Sequence, residues 1–236
     1  MCAVIGIILK NPTKEDFQKV RSVFLESSIR GLHATGMSFL PHWSENVVTI
    51  KQAIPASEFV AVHLHNDNFK DYLNKDGNLY MIGHCRYSTS DLEYNQPIAN
   101  DTHSIVHNGV ITQEMPENWK KIYGYDCETK NDSELVLKSN NAIEEFPDAS
   151  MAVCELDVSK KLTFYRNGKR PIYMTVVDNG YFVTSTENIA QRANIVGLTS
   201  EVPALVKCEV DENMVIEYNK TSLPENFKDL QNALSN

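Results

Sequence analysis

A cysteine stands directly after the initiator methionine, and its side chain is small enough to permit removal of Met1. That removal would leave a thiol and an α-amine on one residue, Cys2. A thiol near pKa 8.5 and an α-amine near 8 are closely matched, so a proton can pass between them at neutral pH at little cost and without a separate histidine. Taken alone, Cys2 reads first as a packed strand residue, because free cysteine is among the most buried residue types. Three further segments carry polar groups at fixed spacing: Gly83-His84-Cys85-Arg86-Tyr87-Ser88-Thr89, His107-Asn108-Gly109, and Thr129-Lys130-Asn131-Asp132-Ser133-Glu134. Each has an ordinary local reading. Asn-Gly between Ile105-Val106 and Val110-Ile111 is a hairpin signal, Arg86 reads as a surface ion pair, Asp132 as a helix N-cap and Thr89 as a hydroxyl turn.

Taken together and in this order behind Cys2, the segments resemble the class II glutamine amidotransferases, whose catalytic domains are N-terminal-nucleophile (Ntn) hydrolases. The resemblance covers nearly the whole chain. It implies that mature Cys2 attacks the glutamine carboxamide while its own α-amine shuttles the proton. It implies that the Asn108 side-chain amide and the Gly109 N–H hold the oxyanion, a pair of donors of which each is worth roughly 3 to 4 kcal/mol of barrier. It places Arg86, assisted by the Thr89 hydroxyl, on the α-carboxylate of free L-glutamine and Asp132 on its α-ammonium. Arg30-Gly31 with Gly36, and Gln96-Pro97, are weaker matches. His33 and Ala34 replace the family's usual Asp and Ser, and Ser90-Asp91 replaces a glycine-containing continuation, so loop closure and coupling to an acceptor are expected to differ.

The elements that would carry these residues are short. Residues 2 to 9 (CAVIGIIL) read as a strand. Asn11-Pro12-Thr13 breaks it, and Thr13 with Asp16 forms a capping-box start for a helix over 14 to 30, with Phe17, Val20, Val23, Phe24 and Ile29 on one face. Segments 36–41, 47–54, 79–86 and 103–107 read as strands, and 56–64 and 132–145 as helices. From Met151 onward SMAVCELDV, KLTFYRN, PIYMTVV, YFVTS and MVIEY read as mainly antiparallel strands, with a helix over 186–195. The pattern alone gives an α+β class. The resemblance adds the four-layer αββα sandwich with two mainly antiparallel sheets. Length and composition favour a single domain over 1–236, with a polar tail from about 220 that frays or docks loosely.

Composition narrows the partners. The 236 residues carry a net charge of −9 with no basic cluster, which disfavours a nucleic-acid backbone. The apolar runs are much shorter than the roughly 20 residues of a membrane helix, and the first residues lack a secretory signal, so we expect no membrane association and a cytoplasmic protein. The five cysteines, Cys2, Cys85, Cys127, Cys154 and Cys208, are odd in number and scattered, which suits neither a disulfide framework nor a metal knuckle. His63 and His65 point to different faces of their predicted helix, so no metal is expected, and no nucleotide-binding glycine motif or other cofactor signature occurs. Arg166 and Glu187 read as scaffold. In the family a synthase domain follows the amidotransferase domain, and the chain ends about where it would begin, so ammonia is expected either to pass to a separate synthase or acceptor subunit or to be released. Two other readings remain open: an amidohydrolase for γ-glutamyl or other small amides, and a non-catalytic glutamine-sensing subunit.

Overall fold

A computed structural model describes residues 1–88 and 92–218. Alternation along one strand sets the architecture. Strand β1 (Ala3–Leu9) is buried along its whole length, which requires cover on both faces. Its odd residues, Ile5, Ile7 and Leu9, meet Phe17, Val20, Val23 and Phe24 of helix α1 (Lys14–Ser27) and Phe59 of helix α2 (Ala56–His63). Its even residues Val4 and Ile8 face the other way, into a core shared with a second sheet. Gly6 lies on this inner face because a Cβ there would stand 3.2 Å from Cys154 Sγ and from Val183 Cβ.

The first sheet has seven antiparallel strands. In addition to β1 they are β2 (Ala34–Phe39), β3 (Val48–Gln52), β4 (Leu79–Arg86), β9 (Tyr173–Val177), β10 (Gly180–Thr184) and β11 (Leu198–Glu201), in the order β11-β9-β10-β1-β4-β2-β3. The second has six: β5 (Ile98–Ala99), β6 (His103–Val110), β7 (Ser150–Asp157), β8 (Lys161–Arg166), β12 (Lys207–Val210) and β13 (Ile216–Tyr218), ordered β13-β12-β8-β7-β6-β5. Between the sheets lie Val4, Ile8, Ile82, Val106, Leu162 and Phe164. Helices α1, α2 and α6 (Glu187–Arg192) cover the first sheet, with Ile189 and Ala190 of α6 in that core. The outer face of the second sheet is covered by α3 (Pro116–Tyr123) and α4 (Ser133–Lys138), through Trp119, Leu135 and Val136 against Ile105, Met151 and Val153. This is the expected αββα sandwich. Burying each large apolar side chain in these layers contributes roughly 1.5 to 3 kcal/mol.

Local expectations fare unevenly. The Thr13–Asp16 capping box forms as read. The helix after it is α only to Ser27, and a 3₁₀ turn over Ser28–Arg30 follows, which swings Ile29 off the buried face and into solvent. The helix expected over 132–145 is two pieces, α4 and α5 (Ala142–Glu145). Ser139 closes the first, and the Glu145 carboxylate at the end of α5 accepts both the Asn140 and Asn141 backbone N–H groups, which fixes the break between the two pieces. The strand expected over 103–107 runs on through Asn108 and Gly109 to Val110. The sequence reading assigned no element to α3, β11 or β12. The tail from about 220 lies outside the described residues. No helix among the described residues is long and apolar enough to cross a membrane.

Candidate active site

The same alternation that fills the core continues to its open end. On β4, Tyr80 and Ile82 face the second sheet, so His84 and Arg86 follow on that face. Val106 of β6 faces the first sheet, so Asn108 does too, whereas His107 points outward to α4. Cys2, two residues before Val4, falls on the inner side opposite Asn108. At this end the apolar layer gives way to Cys2, His84, Arg86 and Asn108.

Cys2 is held at three points. Its N–H donates to Asn108 Oδ1 at 3.1 Å, its carbonyl accepts from Arg30 Nε at 2.9 Å, and its Sγ lies 3.9 Å from the Tyr87 carbonyl. Arg30 Nη2 also contacts Met1 Sδ at 3.7 Å. With Met1 in place the Cys2 nitrogen is an amide. The clasp of Arg30 on Cys2 was not read from the sequence, where Arg30 figured only as part of a weak loop match. The remaining cysteines are held as thiols. Burial pushes the Cys85 thiol up to about 12, Cys208 to about 12 and Cys127 to about 11, and it raises Cys154 as well.

Asn108-Gly109 is not a hairpin turn. Both residues pair inside the β6–β7 ladder, opposite Ala152 and Met151. Because the Cys2 N–H is a donor, the Asn108 amide must turn its oxygen to it, and this leaves Nδ2 buried without a hydrogen-bond partner. A buried unsatisfied amide donor ordinarily costs about 1 to 3 kcal/mol, so its retention points to a missing acceptor. Gly109 has φ 148°, and a Cβ there would lie 1.7 Å from the Ser150 carbonyl oxygen. No other residue fits that backbone.

Arg86 and Asp132 open onto a cavity of 580 Å³ that Cys2, Gly109, Tyr94 and Lys130 also line. Arg86 Nη1 donates to the Tyr94 carbonyl at 3.0 Å and to Asn95 Oδ1 at 2.7 Å, which aims the guanidinium from the end of β4. Asp132 occupies the N-cap position of α4, yet its side chain makes no cap bond. Its Oδ2 instead accepts from Ile111 N at 2.6 Å and Thr112 N at 3.4 Å. Thr89 and the Ser90-Asp91 continuation lie outside the described residues.

Beneath the cavity is a polar frame that the sequence reading missed. Gln96 Nε2 donates to the His107 carbonyl and to Ser133 Oγ, both at 3.0 Å, and its Oε1 accepts His107 N–H at 2.6 Å. The His107 ring bridges Ser133 Oγ at 3.0 Å and the Ser150 carbonyl at 3.2 Å. One glutamine and one histidine thus lock α4, which carries Asp132, to β6, which carries Asn108. Burial holds His107 below the usual imidazole range and His84 down at about 3, so both stay neutral. The two weak sequence echoes meet: a Cβ on Gly36 would lie 2.3 Å from the Gln96 carbonyl oxygen, and Lys51 Nζ donates to the Asn95 and Pro97 carbonyls. His33, at the position where the resemblance has Asp, accepts from Ser88 N–H at 2.9 Å and packs on Tyr87. Elsewhere, Arg166 pairs with Glu201 and Glu187 accepts from Gln191, contacts that fit scaffold roles. His63 bonds Gln52, while His65 falls beyond the end of α2.

The sandwich is the Ntn-hydrolase fold of the class II glutamine amidotransferase domains. It superposes on Bacillus subtilis glutamine phosphoribosylpyrophosphate amidotransferase complexed with ADP and GMP at TM-score 0.70 and 19% identity, over 94% of this chain and 50% of that one. The allosteric regulatory enzyme of purine biosynthesis matches at TM-score 0.66 and 18% identity, over 95% of this chain and 50% of that one. A glutamine aminotransferase class-II domain protein from Silicibacter pomeroyi matches at TM-score 0.56 and 12% identity, covering 93% of this chain and 98% of that one. No family model and no curated protein matches the sequence. The chain therefore spans half the length of the first two structures, and likeness at these identities carries the fold.

Proposed function

We propose that the mature chain is a single-domain class II glutamine amidotransferase that hydrolyses free L-glutamine to glutamate and ammonia through a Cys2 thioester. The observation that carries this reading is the Asn108 amide: its oxygen holds the Cys2 nitrogen at 3.1 Å and its buried Nδ2 has no partner, beside a cavity lined by Arg86 and Asp132. In the proposed reaction Met1 is first removed, freeing the α-amine. The amine takes the thiol proton as Cys2 Sγ attacks the carboxamide carbon. Negative charge passes to the former carbonyl oxygen, where Asn108 Nδ2 and Gly109 N–H accept it as donors aimed beforehand. The protonated amine then returns its proton to the departing nitrogen, and ammonia leaves a thioester on Cys2. Water activated by the same amine cleaves the thioester to glutamate.

Arg86, with the Thr89 hydroxyl, takes the α-carboxylate, and Asp132 takes the α-ammonium. A substrate lacking either group would leave one of these charges unpaired, which disfavours other small amides. The ammonia acceptor is a separate synthase or acceptor partner, and the reaction runs in the cytoplasm without a cofactor. The test is a glutaminase assay on protein whose N-terminal mass has been determined. Activity should track the fraction lacking Met1, and turnover by chain that retains Met1 would overturn the mechanism.

A further inference from the structure

The two ends of the proposed site are carried by different elements. Asn108 and Gly109, which would hold the oxyanion, lie on β6, and Asp132, which would hold the α-ammonium, lies at the start of α4. Hydrolysis needs both ends engaged at once, so the separation of β6 from the start of α4 decides how long a substrate can span the site. Gln96 joins them. Its side-chain amide bonds the residue before Asn108 and the residue after Asp132: Oε1 accepts the His107 N–H at 2.6 Å, while Nε2 donates to the His107 carbonyl and to Ser133 Oγ, both at 3.0 Å. The orientation of the amide is fixed, because the His107 N–H can only donate and the His107 carbonyl can only accept. All three residues are buried and line the same cavity as Cys2, Arg86 and Asp132.

The base of this strut is held as firmly. Lys51 Nζ donates to the Asn95 and Pro97 carbonyls, on either side of Gln96, at 2.8 and 2.9 Å. The same segment reaches the third recognition group. The Tyr94 carbonyl accepts from Arg86 Nη1 at 3.0 Å and from Asn131 Nδ2 at 2.9 Å, and Asn131 Oδ1 accepts the Ser133 N–H at 3.0 Å. Residues 94–97 therefore touch the three elements that would bind glutamine's carboxylate, ammonium and oxyanion: β4 through Arg86, the start of α4 through Asn131 and Ser133, and β6 through His107.

We propose that Gln96 is a positioning residue that sets the chain length of the ω-amide amino acid the site accepts, by fixing Asn108 at one separation from Asp132. The inference rests on the glutaminase reading and deepens it. Arg86 and Asp132 recognise a zwitterion, which asparagine and glutamine share, so charge does not separate the two. They differ by one methylene, which an apolar pocket discriminates by only about 10-fold to 200-fold. A rigid separation discriminates through geometry, since misplacing the amide carbon by about 1 Å costs on the order of 100-fold. Both amide hydrogens of Gln96 are spent on His107 and Ser133, so it acts through its neighbours.

The experiment measures covalent labelling of Cys2 in the mature chain by two diazoketones, the analogue of glutamine and the analogue of asparagine one methylene shorter, read by intact mass and peptide mapping. The quantity compared is the ratio of the two labelling rates. A smaller folded fraction scales both rates alike and leaves the ratio unchanged, so a merely structural role does not move it. Wild type should favour the longer analogue by about 100-fold or more. Gln96→Met keeps the length of the side chain and loses its bonds, and it should shrink that preference by about tenfold or more, chiefly by slowing the longer analogue. Ser133→Ala cuts only the link to α4 and should shrink it by about threefold or more. Cys85→Ala, on the helix-covered face, should leave it intact. A preference retained in Gln96→Met, or a wild type that labels equally with both analogues, would overturn the inference while the glutaminase reading stands. A wild-type Cys2 that labels with neither would remove that reading and the inference with it. Should Gln96→Met fail to fold, an unchanged ratio in Ser133→Ala would overturn the proposal equally.

Discussion

The inner layer of the sandwich has a packed middle and an open end, and the same strands build both. In the middle, alternation along β1, β4 and β6 brings Val4, Ile8, Ile82 and Val106 together in an apolar layer, crossed by a hydrogen bond from Ser104 to Ser38. At the open end the next positions on those faces are Cys2, His84, Arg86 and Asn108, where His84 Nε2 and Asn108 Nδ2 are buried without a hydrogen-bond partner, as the Tyr80 hydroxyl is deeper in the layer. The two regions share geometry and differ in chemistry. The site is made by carrying the strand pattern past the core and exchanging apolar side chains for polar ones, so the rigidity of the middle is lent to the end.

Two cysteines one residue apart in register sharpen the contrast. Cys85 pairs with Ala3, on the helix-covered face, where its thiol donates to the Phe24 carbonyl. Cys2 stands on the inner side at the cavity. Cys2→Ala should lower glutaminase turnover by at least about 1000-fold while Tm changes little, because it removes the nucleophile but no core. Cys85→Ala should keep turnover within about threefold and lower stability by roughly 1 kcal/mol. Steady-state kinetics with urea unfolding on both variants checks this, and the reverse pattern would reassign the nucleophile.

The unsatisfied donor comes next. Asn108→Ala should reduce kcat by roughly 100-fold to 1000-fold with KM little changed, because the lost bond forms only as charge develops. A change confined to KM would instead make Asn108 a ground-state contact. Arg86→Gln and Asp132→Asn should act the other way, each raising KM for glutamine about tenfold or more, in line with roughly 1.5 to 3 kcal/mol for a hydrogen bond to a charged group. Equal loss on both parameters would detach them from the α-carboxylate and α-ammonium.

The smallest effect concerns stability. His84 is held at about 3 in the fold against an ordinary value of 6.5, and His107 is shifted in the same direction. Both are neutral when folded, and both take up a proton in the unfolded chain below pH 6.5. Their lowered folded pKa values leave stability intact above about pH 6.5, and stability declines as pH falls toward 3. For His84 the slope is roughly 1.4 kcal/mol per pH unit, and His107 acts in the same direction. Urea midpoints measured from pH 7.5 down to 5 should show this decline, and His84→Gln should flatten it. An unchanged slope in that variant would place the titration elsewhere.

Much of this contrast was legible beforehand, though not all in the same way. The strand at 2–9 declares itself by composition, and the Thr13–Asp16 box by local chemistry. Cys2, Arg86, Asn108, Gly109 and Asp132 were picked out by type and order, and the fold brings them to one end of the sandwich. Arg30 and Gln96 were not assigned their parts, because clasping Cys2 or joining β6 to α4 depends on pairing between segments far apart in sequence. That Asn108 faces Cys2 follows from strand parity, yet parity becomes contact only once β1 and β6 are known to lie in facing sheets. The break at 139–141 and the helix α3 escaped notice because segments of eight residues or fewer are shorter than the window over which periodicity declares a helix.

The central claim is that Cys2, freed of Met1, is the one nucleophile facing a pocket for zwitterionic glutamine. Incubation with a diazoketone analogue of glutamine, followed by intact-mass and peptide-mass mapping, tests it most directly. The account predicts one adduct per chain, on Cys2 of molecules lacking Met1, with labelling slowed by free glutamine. An adduct on Cys127 or Cys85, or equal labelling of Cys2 in chains that keep Met1, would contradict it.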